Sequence, residues 1–273
     1  MKYVILSDPH ANLEALEAVL EDVGSLGPDD QFVCLGDVVG YGPDPNEVMD
    51  IVWDRSDIIV PGNHDVGIIN PEDLTYSADA RFVLDWTARE LNHINLRRLR
   101  GLVKSGEYLF ETNEFVFGHG SPSEPEEIEY VGNIDDAMFY YFLDERFNGK
   151  TGFIGHTHVP QLYVRNHEGL FQVYVGSEIQ KAKRDLGQDY GDVPFQKTYS
   201  EDFDLLPYRQ TLAVISSVGQ PRDGLWYAGY AVYDTETQIL TLRRIDYDFH
   251  KTQKKMEGLG FPKGLVNRLE QGL

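Results

Sequence analysis

The stretch GDVVGYGPDP at residues 36–45 follows a short apolar run over residues 32–35 and carries one carboxylate, Asp37, near its start. Its three glycines and two prolines predict a tight turn at the end of a strand. Metal-competent side chains follow other short β-type runs in four further stretches: DPH at 8–10, GNHD at 62–65, GHG at 118–120 and GHTH at 155–158. Ligands gather at the carboxyl ends of strands in open α/β sheets, so we expect these five sites to form one cluster centred on Asp37.

The composition indicates a globular protein with a large core. The chain has 273 residues, of which 41% are hydrophobic and 25% are charged, and a single α/β domain over residues 1–273 is expected. No apolar run reaches the roughly 18–20 residues of a membrane span, and residues 1–6 are too short for a signal-peptide core. The single cysteine, Cys34, lies in an apolar run and predicts a buried thiol. A cytoplasmic location without a membrane partner is therefore expected.

The charge balance restricts the partners. There are 24 basic and 45 acidic residues, which give a formal net charge of −21. A nucleic-acid binder normally presents a basic face to the phosphates, so long nucleic acids are not expected as ligands. Small phosphorylated or nucleotide-like substrates remain compatible with this charge.

The first 60 residues alternate between strand and helix patterns. Strands are predicted over residues 2–6, 31–35 and 57–60, with helices at 12–23 and 46–53 between them. This alternation predicts a parallel sheet with right-handed crossovers. The later predictions are a helix over 77–102, hairpins over 108–117 and 160–175, a helix over 135–147, strands at 151–154, 211–215, 225–233 and 239–247, and helices at 250–257 and 263–270. Residues 176–209 lack periodicity and are predicted to form a surface loop or insertion.

The combination of motifs, rather than any one of them, predicts a metal site. Alone, a pair such as His156 and His158 is equally compatible with an exposed strand end. Five of the eight histidines, however, fall in these stretches. The mixed set of carboxylates and imidazoles exceeds the four ligands of one tetrahedral ion. It suits two ions about 3.5–4 Å apart that share a bridging carboxylate.

The five stretches, in this order, resemble the motifs of the calcineurin-like metallophosphoesterases. The resemblance implies an α/β (α+β) fold in which a two-sheet β-sandwich is flanked by helices in αββα layers. It implies one metal held by Asp8, His10, Asp37 and His158, and a second held by Asp37, Asn63, His119 and His156. His64 would face the phosphate as the catalytic residue. The tail, with SVGQPRDG at residues 217–224, is similar to the YfcE-type prokaryotic phosphodiesterase subgroup.

The resemblance also implies the chemistry. Two divalent transition-metal ions, with manganese expected first and iron, zinc or nickel as alternatives, would bind a bridging hydroxide that attacks a small phosphodiester or phosphomonoester. His64 would stabilise charge or protonate the leaving oxygen. A dinucleoside polyphosphate hydrolase or a nuclease would use the same site, and a non-catalytic metal-binding scaffold is the alternative of a different class.

One position departs from the protein phosphatases of this superfamily. They carry an acidic residue three places after the bridging Asp to orient the catalytic histidine, and this chain has Gly40 there. Asp44 and Asp65 are candidate substitutes, and the departure favours phosphodiesters or small phosphomonoesters over phosphoproteins.

Several other side chains are weaker candidates. Arg222 and Tyr41 are candidate substrate-binding residues, each with a structural role as the alternative. Residues 181–184, KAKR, could reach a polyphosphate from a lid, and a solvated loop is the alternative there. The three histidines outside the motifs are expected to be structural or at the surface: His93, His167 and His250.

Overall fold

The computed structural model describes residues 1–24, 27, 29–71, 76–169, 171–174 and 198–273. Within them, the strands are β1 (Lys2–Leu6), β2 (Gln31–Cys34), β3 (Ile58–Ile59), β4 (Leu109–Glu111), β5 (Phe115–Gly118), β6 (Thr151–Ile154), β7 (Gln161–Asn166), β8 (Phe171–Tyr174), β9 (Thr198–Asp204), β10 (Tyr208–Val214), β11 (Ala228–Asp234) and β12 (Ile239–Ile245). The α-helices are α1 (Leu13–Val23), α2 (Pro45–Arg55), α3 (Asn63–Ile69), α4 (Ala78–Glu90), α5 (His93–Ser105), α6 (Ile134–Ala137), α7 (Phe249–Gly258) and α8 (Lys263–Gln271).

The strands form two mixed sheets of six strands each. The first has the order β3-β2-β1-β11-β12-β9 and the second β4-β5-β6-β10-β7-β8. Strands β1, β2 and β3 are parallel, as the βαβαβ pattern predicts, while β11 joins β1 antiparallel. In the second sheet β5, β6 and β10 are parallel to one another. The carboxyl ends of these parallel strands provide the positions where polar side chains collect.

The alternation of side chains along β1 shows how the sheets pack. Tyr3 and Ile5 lie in the core between the two sheets, together with Phe117 and Phe153 of the second sheet. The intervening residues, among them Leu6, face the opposite side and pack against helices α1 and α2. Successive side chains point to opposite faces of a sheet, so a strand buried on both faces needs a continuous apolar run such as Tyr3 to Leu6.

Helices cover the outer face of each sheet. Leu16 of α1 and Met49 of α2 pack on the first sheet, and Tyr141 and Phe142 pack on the second. Asn12 caps α1 as predicted, because its side chain accepts a hydrogen bond from the Ala15 amide. The predicted two-sheet sandwich flanked by helices is confirmed. Among the described residues, no helix combines the length and the apolarity that crossing a bilayer demands.

Two helix predictions are wrong in detail. The single helix expected over 77–102 is broken after α4, because the Asn92 side chain accepts hydrogen bonds from the amides of Ile94 and Asn95 and starts α5. The helix expected over 135–147 is instead α6, then a π-helical turn (Met138–Phe142) and a 3₁₀ turn (Glu145–Phe147). Tyr141 and Phe142 are both buried in this π turn.

The loop predicted over 176–209 is wrong at its C-terminal end. Thr198–Asp204 forms β9, an edge strand paired antiparallel with β12. Its sequence, TYSEDFD, is mostly polar and does not predict a strand. An edge strand exposes every second residue to solvent, so it needs few apolar residues. Residues 175–197, and with them the basic sequence at 181–184, lie outside the described residues.

Candidate metal centre

The predicted ligands follow the ends of the parallel strands. Asp8 and Asp37 come after β1 and β2, and His119 comes directly after β5. His156 and His158 follow β6, whereas Asn63 is the first residue of α3, a helix that the sequence pattern does not predict. Five side chains of the set sit on left-handed backbone, with φ between 47° and 67°: Asp8, His10, Asp37, His156 and His158. Such strained conformations in non-glycine residues concentrate at functional sites.

The structure brings these side chains into two groups that share one carboxylate. Asp8, His10, Asp37 and His158 form the first group, in which the candidate ligand atoms all lie within 4.8 Å of one another. Asp37, His119 and His156 form the second group by the same measure. The Asn63 amide oxygen lies 3.3 Å from Nε2 of His119 and so adjoins the second group. We call these seven residues the donor cluster.

Three of the imidazoles are held by backbone carbonyls. Nδ1 of His10 lies 3.1 Å from the Val39 carbonyl oxygen, Nδ1 of His119 lies 2.6 Å from that of Leu35, and Nδ1 of His158 lies 2.5 Å from that of Gln220. A carbonyl oxygen only accepts, so each Nδ1 carries the proton. In the neutral imidazole each Nε2 then directs its lone pair into the cluster, which is the arrangement that metal-binding histidines use.

The lone pairs of the cluster face one another without a donor between them. Nε2 of His10 is 3.2 Å from Nε2 of His158, and Nε2 of His158 is 3.1 Å from Oδ1 of Asp8. Oδ1 of Asp8 is buried without a hydrogen-bond partner among the described residues. A buried acceptor without a donor is costly, and a cation satisfies several such acceptors at once. The residues therefore fit divalent metal ions.

The charge of the cluster also favours cations. Burial alone lowers the pKa of His119, but the Asp37 and Asp8 carboxylates outweigh it and raise that pKa to about 9, so Nε2 of His119 holds a proton at neutral pH that a divalent ion would displace. Burial opposes ionisation of Asp37 as well, and the surrounding imidazoles hold its pKa well below the usual range. Both carboxylates are thus ionised at neutral pH, and their negative potential is available to a divalent ion.

The predicted catalytic residue, His64, lies beside the donor cluster, and no carboxylate of the described residues orients its ring. The His64 amide donates to Oδ1 of Asp37 at 2.7 Å. Its Nδ1 is buried and has no hydrogen-bond partner among the described residues. Gly40 packs directly on this ring, and a Cβ at position 40, where φ is +89°, would overlap Nδ1. Packing against Gly40, Tyr41 and Tyr76 therefore orients the imidazole.

Neither candidate substitute for the phosphatase carboxylate reaches His64. Asp44 accepts hydrogen bonds from Nζ of Lys255 at 2.8 and 2.9 Å. Asp65 accepts from the Gly62 amide at 3.0 Å and from the amides of Val38 and Val39 at 3.4 Å. Asp65 therefore joins the two segments that carry Asp37 and Asn63 and supports them.

Gly40→Ala is expected to disturb His64 while leaving the metal content unchanged. The left-handed backbone and the overlap together should lower the melting temperature by roughly 2–8 °C. The displaced imidazole should lower kcat by about 10- to 100-fold. Thermal unfolding, metal analysis and kinetics on one preparation measure all three quantities.

Gly101→Ala is the matched control. Gly101 lies in α5 with open space around it, so the substitution should stabilise the helix slightly and leave turnover unchanged. A Gly40→Ala variant as active as the parent protein would show that His64 does not need this space.

A cavity of about 410 Å³ opens above the donor cluster and His64. Both candidate substrate-binding residues line it: Tyr41, whose ring centroid is 4.4 Å from that of His64, and Arg222, whose guanidinium lies 5.7 Å from the Tyr41 ring. Seven further lining residues were not found from the sequence, and four of them are tyrosines or glutamates: Tyr76, Glu127, Glu129 and Tyr130. These four belong to connecting segments without a motif. The three histidines outside the motifs are exposed, as expected: His93, His167 and His250.

The fold and the donor cluster define a metal-dependent phosphoesterase. The sequence model of the family "Calcineurin-like phosphoesterase" matches residues 1–247, and the chain belongs to this family. The family resemblance noted in the sequence is thereby confirmed, while the YfcE-type subgroup and the cytoplasmic location stay predictions.

Three proteins match the chain over nearly its whole length. The uncharacterized protein MJ0912 of Methanocaldococcus jannaschii is 32% identical over 270 residues, which cover 98% of this chain and 97% of the relative. The crystal structure of a metallophosphoesterase from Sphaerobacter thermophilus has 34% identity and a TM-score of 0.78, with 100% of both chains covered. The hypothetical protein PH1004 from Pyrococcus horikoshii OT3, at 18% identity and a TM-score of 0.68, covers 100% of this chain and 98% of its own and shares the fold.

Proposed function

We propose that this protein is a binuclear phosphodiesterase that hydrolyses small phosphodiesters. The observation that carries the proposal is the pair of donor groups that share Asp37, with Nε2 of three imidazoles directed inward. One ion would be held by Asp8, His10, Asp37 and His158, and the other by Asp37, Asn63, His119 and His156. Such ions supply Lewis acidity toward phosphoryl oxygens and lower the pKa of a water molecule between them.

The protein's own residues position and stabilise the reacting groups. The three backbone carbonyls fix the imidazole tautomers before any ligand arrives. His64, at the floor of the cavity beside Asp37, is assigned to donate a hydrogen bond from its ring to a phosphoryl or leaving oxygen. Arg222 and Tyr41 are assigned to contact the substrate beside His64.

The charges around the cavity favour a diester over more highly charged substrates. Among the described lining residues, Arg222 is the lone lysine or arginine, whereas Glu127 and Glu129 bring two carboxylates to the rim. A phosphodiester carries one negative charge, and a monoester or a polyphosphate chain carries more. Like charges at the rim therefore disfavour the more highly charged substrates. The net charge of −21 likewise disfavours the binding of long nucleic acids, because it repels their phosphates.

A substrate panel tests the proposal. The metal-free protein is loaded separately with Mn²⁺, Zn²⁺, Fe²⁺ or Ni²⁺, and hydrolysis is followed for a simple phosphodiester, a phosphomonoester, a cyclic nucleotide and a dinucleoside polyphosphate. We expect metal-dependent hydrolysis with the highest kcat/KM on a diester, and Mn²⁺ is expected to support it best. A preference for the dinucleoside polyphosphate would show that the proposed substrate class is wrong. Full activity of the metal-free protein would contradict the mechanism.

A further inference from the structure

An exposed aromatic ring stands at the edge of the cavity. Tyr130 lines the cavity and remains 53% exposed. Its ring stacks on that of His156, with centroids 3.8 Å apart and planes at 16°. A flat tyrosine ring this accessible, directly beside the donor cluster, is available to pack against a planar group of a ligand.

The segment that carries Tyr130 is held in place before any ligand binds. The Glu129 amide donates to Oγ of Ser121 at 3.2 Å, and the Ser121 hydroxyl donates to the Glu124 carbonyl oxygen at 2.8 Å. Ile128 is buried against Val66 and adopts a left-handed backbone with φ of 51°. Backbone strain of this kind persists only where the surrounding structure enforces it. Tyr130 is therefore a pre-positioned group rather than a side chain on a free loop.

Gly120 permits this arrangement. A Cβ on Gly120 would lie 2.8 Å from the Glu129 carbonyl oxygen and 2.9 Å from the Ile128 carbonyl carbon. The chain just after His119 thus approaches the segment before Tyr130 so closely that only glycine fits. The position of the Tyr130 ring is in this way tied directly to the donor cluster.

The groups around the ring suit a nucleoside. Glu127 and Glu129 line the same rim as Tyr130, and carboxylates accept hydrogen bonds from sugar hydroxyls and from base N–H groups. They would repel a further phosphate on this side of the cavity. A planar base with its sugar fits the combination of an aromatic face and acidic acceptors better than an anionic group does.

We propose that the substrate is a phosphodiester with a nucleoside on one arm, and that this nucleoside's base stacks on Tyr130. The inference rests on the proposed phosphodiesterase function and specifies its substrate class. The phosphate lies over the donor cluster near Arg222, and the base extends over the rim to Tyr130. Base–aromatic stacking is sequence-tolerant, so Tyr130 selects for a base without selecting which one.

Three substrates with the same leaving group isolate the effect of this arm. They are thymidine 5′-(p-nitrophenyl) phosphate, phenyl p-nitrophenyl phosphate and methyl p-nitrophenyl phosphate. In each, one water forms the new P–O bond and gives up a proton, while the P–O bond to p-nitrophenolate breaks. The metal-loaded protein is compared with its Tyr130→Phe and Tyr130→Leu variants.

We expect the parent protein to prefer the thymidine substrate over the methyl substrate by at least about 10-fold in kcat/KM, or about 1.4 kcal/mol. Tyr130→Phe should keep this preference and Tyr130→Leu should abolish it, mainly through KM, while hydrolysis of the methyl substrate changes little. A thymidine rate above the phenyl rate distinguishes a nucleoside site from a general aryl site.

Two results would overturn the inference. An equal loss on all three substrates in Tyr130→Leu would mean that Tyr130 only supports His156, and a parent protein without preference would mean that the ring does not bind the substrate. Hydrolysis of the methyl substrate in either case leaves the proposed function standing. Absence of hydrolysis of all three substrates by the metal-loaded parent would contradict the proposed function itself.

Discussion

Asp37→Asn is expected to remove most of the bound metal and to lower kcat/KM by more than about 100-fold. Asp37 belongs to both donor groups, and its Oδ2 lies 3.6 Å from Nε2 of His10 and 3.4 Å from Nε2 of His119. Loss of a side chain that only hydrogen-bonds to a metal ligand already lowers metal affinity or activity by about 10–100-fold. Loss of the shared carboxylate itself should lower both further. Asparagine keeps the size and one oxygen, so the charge is the main change.

Asp44→Asn is the matched control because it removes a carboxylate from the same stretch of chain, residues 36–45. Asp44 pairs with Lys255 and is not part of the donor cluster. The control should keep the metal content and activity of the parent, measured by inductively coupled plasma mass spectrometry and by diester hydrolysis. An Asp37→Asn variant with normal metal content would show that Asp37 is not the shared metal ligand.

His64→Ala is expected to lower kcat by about 10²–10⁴-fold with the metal content unchanged. The imidazole lies at the floor of the cavity and belongs to neither donor group. Removal of a positioned general acid or hydrogen-bond donor typically lowers turnover by this much, and burial, which lowers the pKa of His64 to about 4, favours the hydrogen-bonding role. The hydrogen bond from residue 64 to the Asp37 carboxylate is donated by the backbone amide, so the alanine variant can still form it.

His250→Ala controls for the loss of a histidine, since His250 is exposed on α7. It should match the parent in kcat and in metal content. If His64→Ala loses metal instead of turnover, His64 is a ligand or a support for one, and its assignment to the substrate is wrong.

The donor cluster was predictable because its signal is local. Each predicted ligand lies within four residues of the end of a strand, and all of them except His158 have a glycine or a proline as a neighbour in the sequence. Parallel strands then bring ends such as those before Asp8 and Asp37 to one edge. Asn63 also fell within a motif, although the helix that it begins was not predicted.

The cavity wall was not predictable in the same way. Tyr76 and Tyr130 lie in connecting segments whose path depends on contacts far apart in the sequence. Tyr130, for example, reaches His156 across 26 residues because Gly120, Ser121 and Ile128 fix its segment. The absence of a carboxylate at Gly40 was visible in the sequence, but the packing of His64 against that glycine was not.

The fold shows the same division. The parallel part of the first sheet follows from its βαβαβ pattern, whereas β9 escaped prediction because an exposed edge strand needs few apolar residues. The break before α5 depends on one side chain, Asn92, whose hydrogen bonds outweigh the apolar periodicity that continues through it.

The metal content of the purified protein, measured together with its activity, tests the two-ion assignment most directly. Two donor groups sharing Asp37 predict about two divalent ions per chain in the active parent protein and fewer than one in Asp37→Asn. Loss of activity on removal of the ions, and recovery when they are restored, should accompany this stoichiometry. A parent protein that hydrolyses phosphodiesters at full rate with no bound metal would contradict it.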